Sequence, residues 1–449
     1  MSLDLKSIPD TPFFIPDYQQ NISMVIPTAF KCLGNDLGRS SLYDNPQTKV
    51  ILEDNECMGA ETAIVMLVDT LGFTKLQEIS KHLLSIVKSH GFQLSSTCPT
   101  ITSTCLMSAH TGLKPCEHGI VGHKIYIPEY GNIIDFLKMS PIDFERRDSL
   151  MKSGINYRKL AWSPSLYDLM DRDLIAHVGL IHHRILGTGL SNLLVDPKIR
   201  TDIGYANMID LFSKAKKIIK NKNKGKISQP KMLLNIYIGY LDELSHLYGP
   251  NSQEYLAGFH YFEISFLEFI KALEKDGVSE KTTLFLFSDH GQVPIDPDKI
   301  LALTKDEIKH IKQYLSFRPG RSGRAIHIYV KPEFLEEAEN FFIDFIGEKG
   351  VVYRFLDVVD FLGCPASTNI NTKRLRERFG DLVIFLKTGY HLDLPKPKVA
   401  EKKKNLKEKD LIGELMSPTA KLGSHGSLTF DELVVPCLAS SISNIARNI

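Results

Sequence analysis

Five stretches of the sequence carry side chains that could hold a cation or supply a nucleophile. Asp242 and His246 stand four apart in YLDELSHLYGP. On one helical turn that spacing puts both on one face, able to grip a single ion; taken alone, such a pair is more often an exposed helical contact. Asp289 and His290 are adjacent in LFLFSDHGQ, straight after an apolar run. Burying an unpaired carboxylate and an imidazole there is costly, and a metal removes the cost; the competing reading is a capping Asp with a turn His. His425 in LGSHGSLTFDE is closely flanked by glycines, so the backbone can turn tightly and present the ring, or it is a plain surface-turn histidine. Asp69 closes AIVMLV, where it would equally serve as an N-cap. Thr102 lies in TCPTITSTCLMSAHTG among Thr97, Thr100 and Thr104. A threonine hydroxyl is a poor nucleophile until deprotonated. A nearby cation and a helix N-terminus would both favour its alkoxide, although a threonine at a helix start is usually a cap.

These residues are useful only if the elements around them converge. Ala63–Val68 is a continuous apolar run, suited to a buried parallel strand. Phe92–Ser96, Leu233–Leu241, Leu284–Phe287, Ile326–Val330 and Leu382–Leu386 read as further strands. Helical spacing is expected over Leu76–His90, from Ser103 to Ala109, over most of 163–220, and over Tyr255–Leu273 with Phe259, Phe262, Phe266 and Phe269. Strands alternating with helices give an α/β fold with a mostly parallel central sheet flanked by helices. Ligands of such sheets sit at the carboxyl ends of strands, where Asp69, Asp242 and Asp289 are expected. The division expected is an irregular lead-in over 1–60, a core over 61–295 and 411–449, and an inserted cap over 296–410. The Lys-rich runs at 214–226 and 395–409 read as solvated or disordered loops, with attraction of an anionic substrate as the other reading.

Of 449 residues, 43% are hydrophobic and 24% charged, and the net charge is +1. This is the composition of a globular protein, with no bulk charge to bind nucleic acid or a membrane surface. Seven cysteines, irregularly spaced and without a CxxC pair, fit free thiols in a reducing compartment. Cys98, Cys105 and Cys116 read as buried inert thiols. The first residues lack a basic stretch followed by an apolar one, and no run approaches the roughly 20 apolar residues of a membrane span. A cytoplasmic protein is expected.

The ligand candidates keep one order: Asp, Thr, Asp-x3-His, Asp-His, Gly-x-His-Gly. In that order, and in the stretches VDTLGF, PTITST…HTGLKPCEHGIVG, LDELSHLYGP, FSDHGQ and GSHG, the sequence resembles the alkaline phosphatase superfamily. It is most similar to the type I phosphodiesterase/nucleotide pyrophosphatase branch. The matching stretches run from about 61 to 295 and over 423–436. The resemblance implies an alkaline-phosphatase-like core with two divalent metal ions per chain, zinc ahead of manganese or magnesium. Asp242, His246 and His425 would hold one; Asp69, Asp289, His290 and Thr102 the other. It also selects Thr102 as the nucleophile, forming a phosphothreonine intermediate. The implied substrate is a small phosphate ester or pyrophosphate, nucleotide-type substrates favoured.

Two positions depart from that branch. Ser103 stands where an aromatic commonly follows the nucleophile. His123 stands where an Asn commonly holds a phosphoryl oxygen; it could donate a similar hydrogen bond, act as a general acid, or be a structural histidine beside a strand. Arg321 and Arg324 could reach an anionic group or form a basic hairpin loop. A phosphomonoesterase or phosphonate hydrolase on the same core is the alternative, and a non-catalytic zinc-containing binding protein the distant one.

Overall fold

In the computed structural model, residues 2–144, 146–364, 372–394 and 421–449 are described. The run AIVMLV forms the strand Thr62–Val68, buried along its whole length. It pairs in parallel with Lys231–Ile238 on one side, Leu67 opposite Tyr237, and with Thr282–Phe287 on the other, Val65 opposite Phe285. Among the described residues this sheet has seven strands in the order 91–95, 434–441, 282–287, 62–68, 231–238, 175–182, 202–205. Only 434–441 runs antiparallel to its neighbours; the other pairings are parallel. This is the expected mostly parallel α/β sheet. The helix Gln253–Lys275 buries Phe259, Phe262, Phe266 and Phe269, a stripe that water exclusion drives onto the core.

Several local expectations are corrected. The strand expected to run through Leu241 stops at Ile238, and Asp242 lies in the first turn of the helix Tyr240–Tyr248. Leu241 is fully buried, so the apolar run conceals the switch from period 2 to period 3.6. The stretch 163–220 contains two strands, Ile175–His182 and Asp202–Tyr205; short apolar runs fit either period. Most of the basic run 214–226 is helical, within Met208–Asn223, with Ala215 and Ile219 buried beneath its lysines. The run 395–409 lies outside the described residues.

Residues before 60 contain regular structure. The helix Val25–Cys32 is largely buried and packs on the strand Thr62–Val68. The amide of Ser95 donates to Gln20 O at 2.9 Å, so this segment covers the edge strand 91–95.

A second sheet is antiparallel, with strands in the order 350–354, 382–386, 325–328, 320–322, 124–127, 132–135, 140–141. It draws strands from 124–141 as well as from 320–386. A three-stranded group joins 389–393, 293–302 and 423–424.

Cys116 and Cys364 form a disulfide, their Cα atoms 6.2 Å apart. Cys116 is therefore not the inert thiol expected, and the compartment reading loses part of its support, since disulfides persist where conditions oxidise. The other five cysteines are free and buried. No helix among the described residues is long and apolar enough to cross a membrane.

Candidate active site

Two groups of three side chains converge beyond the carboxyl ends of the central strands. Asp242, His246 and His425 form one; Asp69, Asp289 and His290 form the other. In each, the possible ligand atoms lie within 4.8 Å of one another. His246 Nε2 is 3.3 Å and His425 Nε2 3.6 Å from Asp242 Oδ1. His290 Nε2 is 3.3 Å from Asp289 Oδ2 and 3.6 Å from Asp69 Oδ1.

Every imidazole is held from behind by a backbone carbonyl. His246 Nδ1 contacts Gly423 O at 2.7 Å, His290 Nδ1 contacts Gly291 O at 3.0 Å, and His425 Nδ1 contacts Thr100 O at 2.8 Å. A carbonyl only accepts, so the proton is assigned to Nδ1 and the lone pair of Nε2 faces the carboxylates. This is how a ligating histidine is oriented.

Thr70 joins the two groups. Its hydroxyl lies 2.8 Å from Asp242 Oδ1 and 3.1 Å from Asp69 Oδ1, and its backbone takes a left-handed φ of 72°. Tyr237 donates its hydroxyl to Asp69 Oδ2. The side-chain amide group of Gln292 lies 3.0 Å from His246 Nδ1, and with that nitrogen protonated it is the amide oxygen that can accept there. The sequence reading missed all three; only Thr70, next to Asp69, carried any signal, because Tyr237 reaches Asp69 through strand register.

Thr102 opens the helix Thr102–Thr111 and is buried. Its Oγ1 is 3.2 Å from His290 Nε2. Two of the neighbouring threonines are engaged elsewhere. Thr100 Oγ1 donates to Ser427 O at 2.7 Å and accepts from the amide of Gly426, and Thr97 Oγ1 donates to Pro99 O. The first amides of the helix are free of intrahelical partners, so an anion in front of Thr102 would meet N–H donors.

The loop bearing His425 fits against the turn at 322–324 with little clearance. A Cβ on Gly426 (φ 114°) would come within 1.9 Å of Ser322 O, and one on Gly323 within 1.9 Å of His425 O. Arg324 donates its amide to His425 O at 2.8 Å. Its guanidinium is fully buried and lies 2.6 Å from the equally buried Glu432. Arg324 therefore braces the loop, and of its two sequence readings the anion-reaching one does not hold.

The electrostatics of the site suit a cation. Burial, together with the charges of Asp289 and Asp242, raises Asp69 well above the usual carboxylate range. Burial pushes Asp289 up to about 7. Burial also acts upward on Asp242, but the imidazoles of His246 and His290 and the Thr70 hydroxyl outweigh it and hold that carboxyl low. Burial and the neighbouring rings of His290 and His246 hold His425 well below the usual imidazole value. Among the described residues no Lys or Arg forms an ion pair with these three carboxylates, and the buried Asp289 Oδ2 accepts no hydrogen bond. Carboxylates massed without a Lys or Arg partner, beside imidazoles, are the donor set of a divalent metal site, so these residues fit two such ions.

His123 belongs to neither group. Its Nε2 is 3.7 Å from Asp135 Oδ1 and its Nδ1 has no partner. Burial lowers its pKa to about 4 despite Asp135, leaving a neutral ring. Arg321 pairs in the second sheet opposite Lys124 and donates Nε to Gly323 O.

Residues 63–409 match the model of the family "Type I phosphodiesterase / nucleotide pyrophosphatase". The chain belongs to that family, a branch of the alkaline phosphatase superfamily, and is a phosphoric ester hydrolase of phosphodiesterase/nucleotide pyrophosphatase type. Members of the superfamily depend on divalent metals. Similar solved structures include murine ectonucleotide pyrophosphatase/phosphodiesterase 5, with 16% identity, 84% of this chain and 87% of that one covered, and a TM-score of 0.57. An inactive threonine-to-alanine variant of the same murine protein, in complex with AMP, has 16% identity, the same coverage and a TM-score of 0.56. Phosphonoacetate hydrolase from Sinorhizobium meliloti, in complex with phosphonoformate, has 16% identity, coverage of 85% and 90%, and a TM-score of 0.53. No curated protein matches the sequence.

Proposed function

We propose that this chain hydrolyses phosphodiester or pyrophosphate bonds through a phosphothreonine intermediate on Thr102. The observation that carries the reading is the position of Thr102 Oγ1, 3.2 Å from His290 Nε2, where a helix N-terminus meets two ligand groups. Asp242, His246 and His425 would hold one divalent ion, and Asp69, Asp289, His290 and Thr102 the other. The mixture of imidazole and carboxylate favours zinc over manganese or magnesium. Bound there, the ions supply charge stabilisation to the phosphoryl oxygens and lower the pKa of an attached hydroxyl.

The chain's own groups do the rest. Thr102, as its alkoxide, attacks phosphorus in line; the Oγ–P bond forms as the ester P–O bond breaks, and the departing alcohol takes up a proton from water. Water then attacks the same phosphorus, the Oγ–P bond breaks, and the hydroxyl of Thr102 is restored. Free amides at the start of its helix orient the phosphoryl oxygens. His123, neutral and unpaired at Nδ1, is assigned a hydrogen bond to a phosphoryl oxygen. Nucleotide-type substrates are favoured; the AMP bound by the murine neighbour supports that class.

The test compares bis(p-nitrophenyl) phosphate with p-nitrophenyl phosphate in zinc buffer. Faster turnover of the diester is expected. A faster monoester, or release of phosphate from phosphonoacetate in its place, would move the chain to the alternatives on the same core; the phosphonoacetate hydrolase neighbour is the observation that favours the latter.

A further inference from the structure

Ser103 and His123, the two positions that depart from the branch, meet through a single peptide group. Ser103 follows Thr102 on the helix Thr102–Thr111 and is fully buried. Its hydroxyl donates to Gly122 O at 3.1 Å. The amide of His123 donates to Ser322 Oγ at 2.9 Å. Gly122 O and His123 N belong to one planar unit, so that unit is gripped at both polar ends and cannot turn about the chain without breaking a bond. One serine stands beside the nucleophile; the other lies on the strand Gly320–Ser322. Beyond them, His123 O accepts from the amide of Phe136 at 2.9 Å.

Ser322 is itself held in one polarity. Its Oγ lies 2.6 Å from His327 Nε2, and His327 Nδ1 lies 2.8 Å from Phe379 O. Burial lowers His327 to about 4, so the ring is neutral. Phe379 O only accepts, which assigns the proton to Nδ1 and leaves Nε2 as an acceptor. The Ser322 hydroxyl therefore donates to His327, and its lone pairs face the His123 amide. Donors run one way, from His123 N through Ser322 and His327 to Phe379 O, an alignment in which each bond strengthens the next. Ser322 and His327 are fully buried, so this serine–histidine pair is no nucleophile and base. Clearance is small: a Cβ on Gly122 would come within 2.5 Å of Ser322 Oγ and 2.9 Å of His327 Nε2.

We propose that Ser103, Ser322 and His327 are positioning residues that hold His123 against the phosphoryl group at Thr102. The proposal deepens the role assigned above to His123 and rests on it. Because Ser103 is the neighbour of Thr102, its bond to Gly122 ties the peptide of His123 to the nucleophile's own helix. A hydrogen bond to a phosphoryl oxygen speeds the reaction only when its donor already stands where the transition state needs it. The two departures from the branch therefore go together: the serine at 103 is the anchor that the histidine at 123 uses.

The test is a pair of double-mutant cycles on the whole zinc-loaded chain, Ser103→Ala with His123→Ala and Ser322→Ala with His123→Ala. Two quantities are read. One is kcat and KM for bis(p-nitrophenyl) phosphate; the other is calorimetric affinity for orthovanadate, which mimics the transferring phosphoryl group, against inorganic phosphate. His123→Ala should lower kcat about a hundredfold. Each serine variant should lower it about tenfold with KM changed less than about twofold. Orthovanadate affinity should fall by similar factors and phosphate affinity by less than about twofold. Once His123 is replaced, removing either serine should change kcat and orthovanadate affinity by less than about twofold, because nothing remains to be positioned. His327→Gln, whose amide oxygen can still accept from Ser322, should retain more of kcat than His327→Leu. Equal losses with and without His123, native kcat in both serine variants, or no effect of His123→Ala would overturn the proposal. The serines grip opposite ends of the peptide, so either cycle decides if the other variant fails to fold. Coupled cycles on orthovanadate in a chain that hydrolyses no diester would remove the phosphodiesterase reading and keep the positioning; hydrolysis with uncoupled cycles does the reverse.

Discussion

The rings of His290 and His425 stack, 3.8 Å between centroids and 15° from parallel. One belongs to each ligand group, so this contact sets how far apart the two groups stand. Both rings are anchored through Nδ1 to backbone carbonyls of loops, Gly291 and Thr100. One stacked pair and two backbone anchors thus hold the two groups against each other.

Thr102→Ala should lower turnover of bis(p-nitrophenyl) phosphate about a thousandfold or more, since a nucleophile is lost and not merely a contact. Metal analysis should still find about two ions per chain, because three other donors remain in that group. Thr102→Ser should keep part of the activity. Undiminished turnover in the alanine variant would place the nucleophile elsewhere.

Thr70→Val removes the hydroxyl that spans Asp69 and Asp242 while keeping side-chain volume. Zinc affinity, read by chelator competition, should fall about 10- to 100-fold, the usual cost of losing a hydrogen bond that orients a ligand. An unchanged affinity would mean the carboxylates are oriented by Tyr237 and the backbone alone.

Burial holds Asp289 up at about 7 against an ordinary 3.8. Without metal, the folded chain keeps a proton there that the unfolded chain releases above about pH 4. This contribution to stability is complete below pH 4 and is lost as pH rises through about 7. Bound cations favour the ionised form. The rise in Tm produced by zinc over a chelator should therefore be larger at about pH 8 than at about pH 5. Equal increments at the two values would show that Asp289 does not titrate as its burial requires.

Arg324→Met leaves Glu432 buried without its cation. Urea denaturation should show a loss of about 3–5 kcal/mol, the cost of an uncompensated buried charge. Turnover should fall with it, because the turn at 322–324 that the buried pair holds in place packs directly on the loop bearing His425. A stability change of less than about 1 kcal/mol would show the pair to be dispensable.

The order of the motifs already carried the candidate ligand set. Asp242 and His246 share a helical turn by spacing alone, and Asp289-His290 follows an apolar strand, so both could be read from local period and burial cost. Composition and strand–helix alternation likewise fix the α/β class, because each element must bury one face. What remained illegible depended on partners far away in the chain. Tyr237 meets Asp69 only through the register that sets Leu67 beside Tyr237, and Thr70 spans two carboxylates only once their strands and loops converge. The second sheet takes strands from both 124–141 and 320–386, a pairing that no local pattern states. Cys116 finds Cys364 across 248 residues. Arg324 looked like a surface arginine until Glu432 was found beside it. Ser103 and His123 stood as two separate departures until the Gly122–His123 peptide was found held between Ser103 and Ser322. Side-chain type and short spacing decided which chemistry is available to this protein; tertiary packing, acting through contacts distant in sequence, decided which groups brace that chemistry.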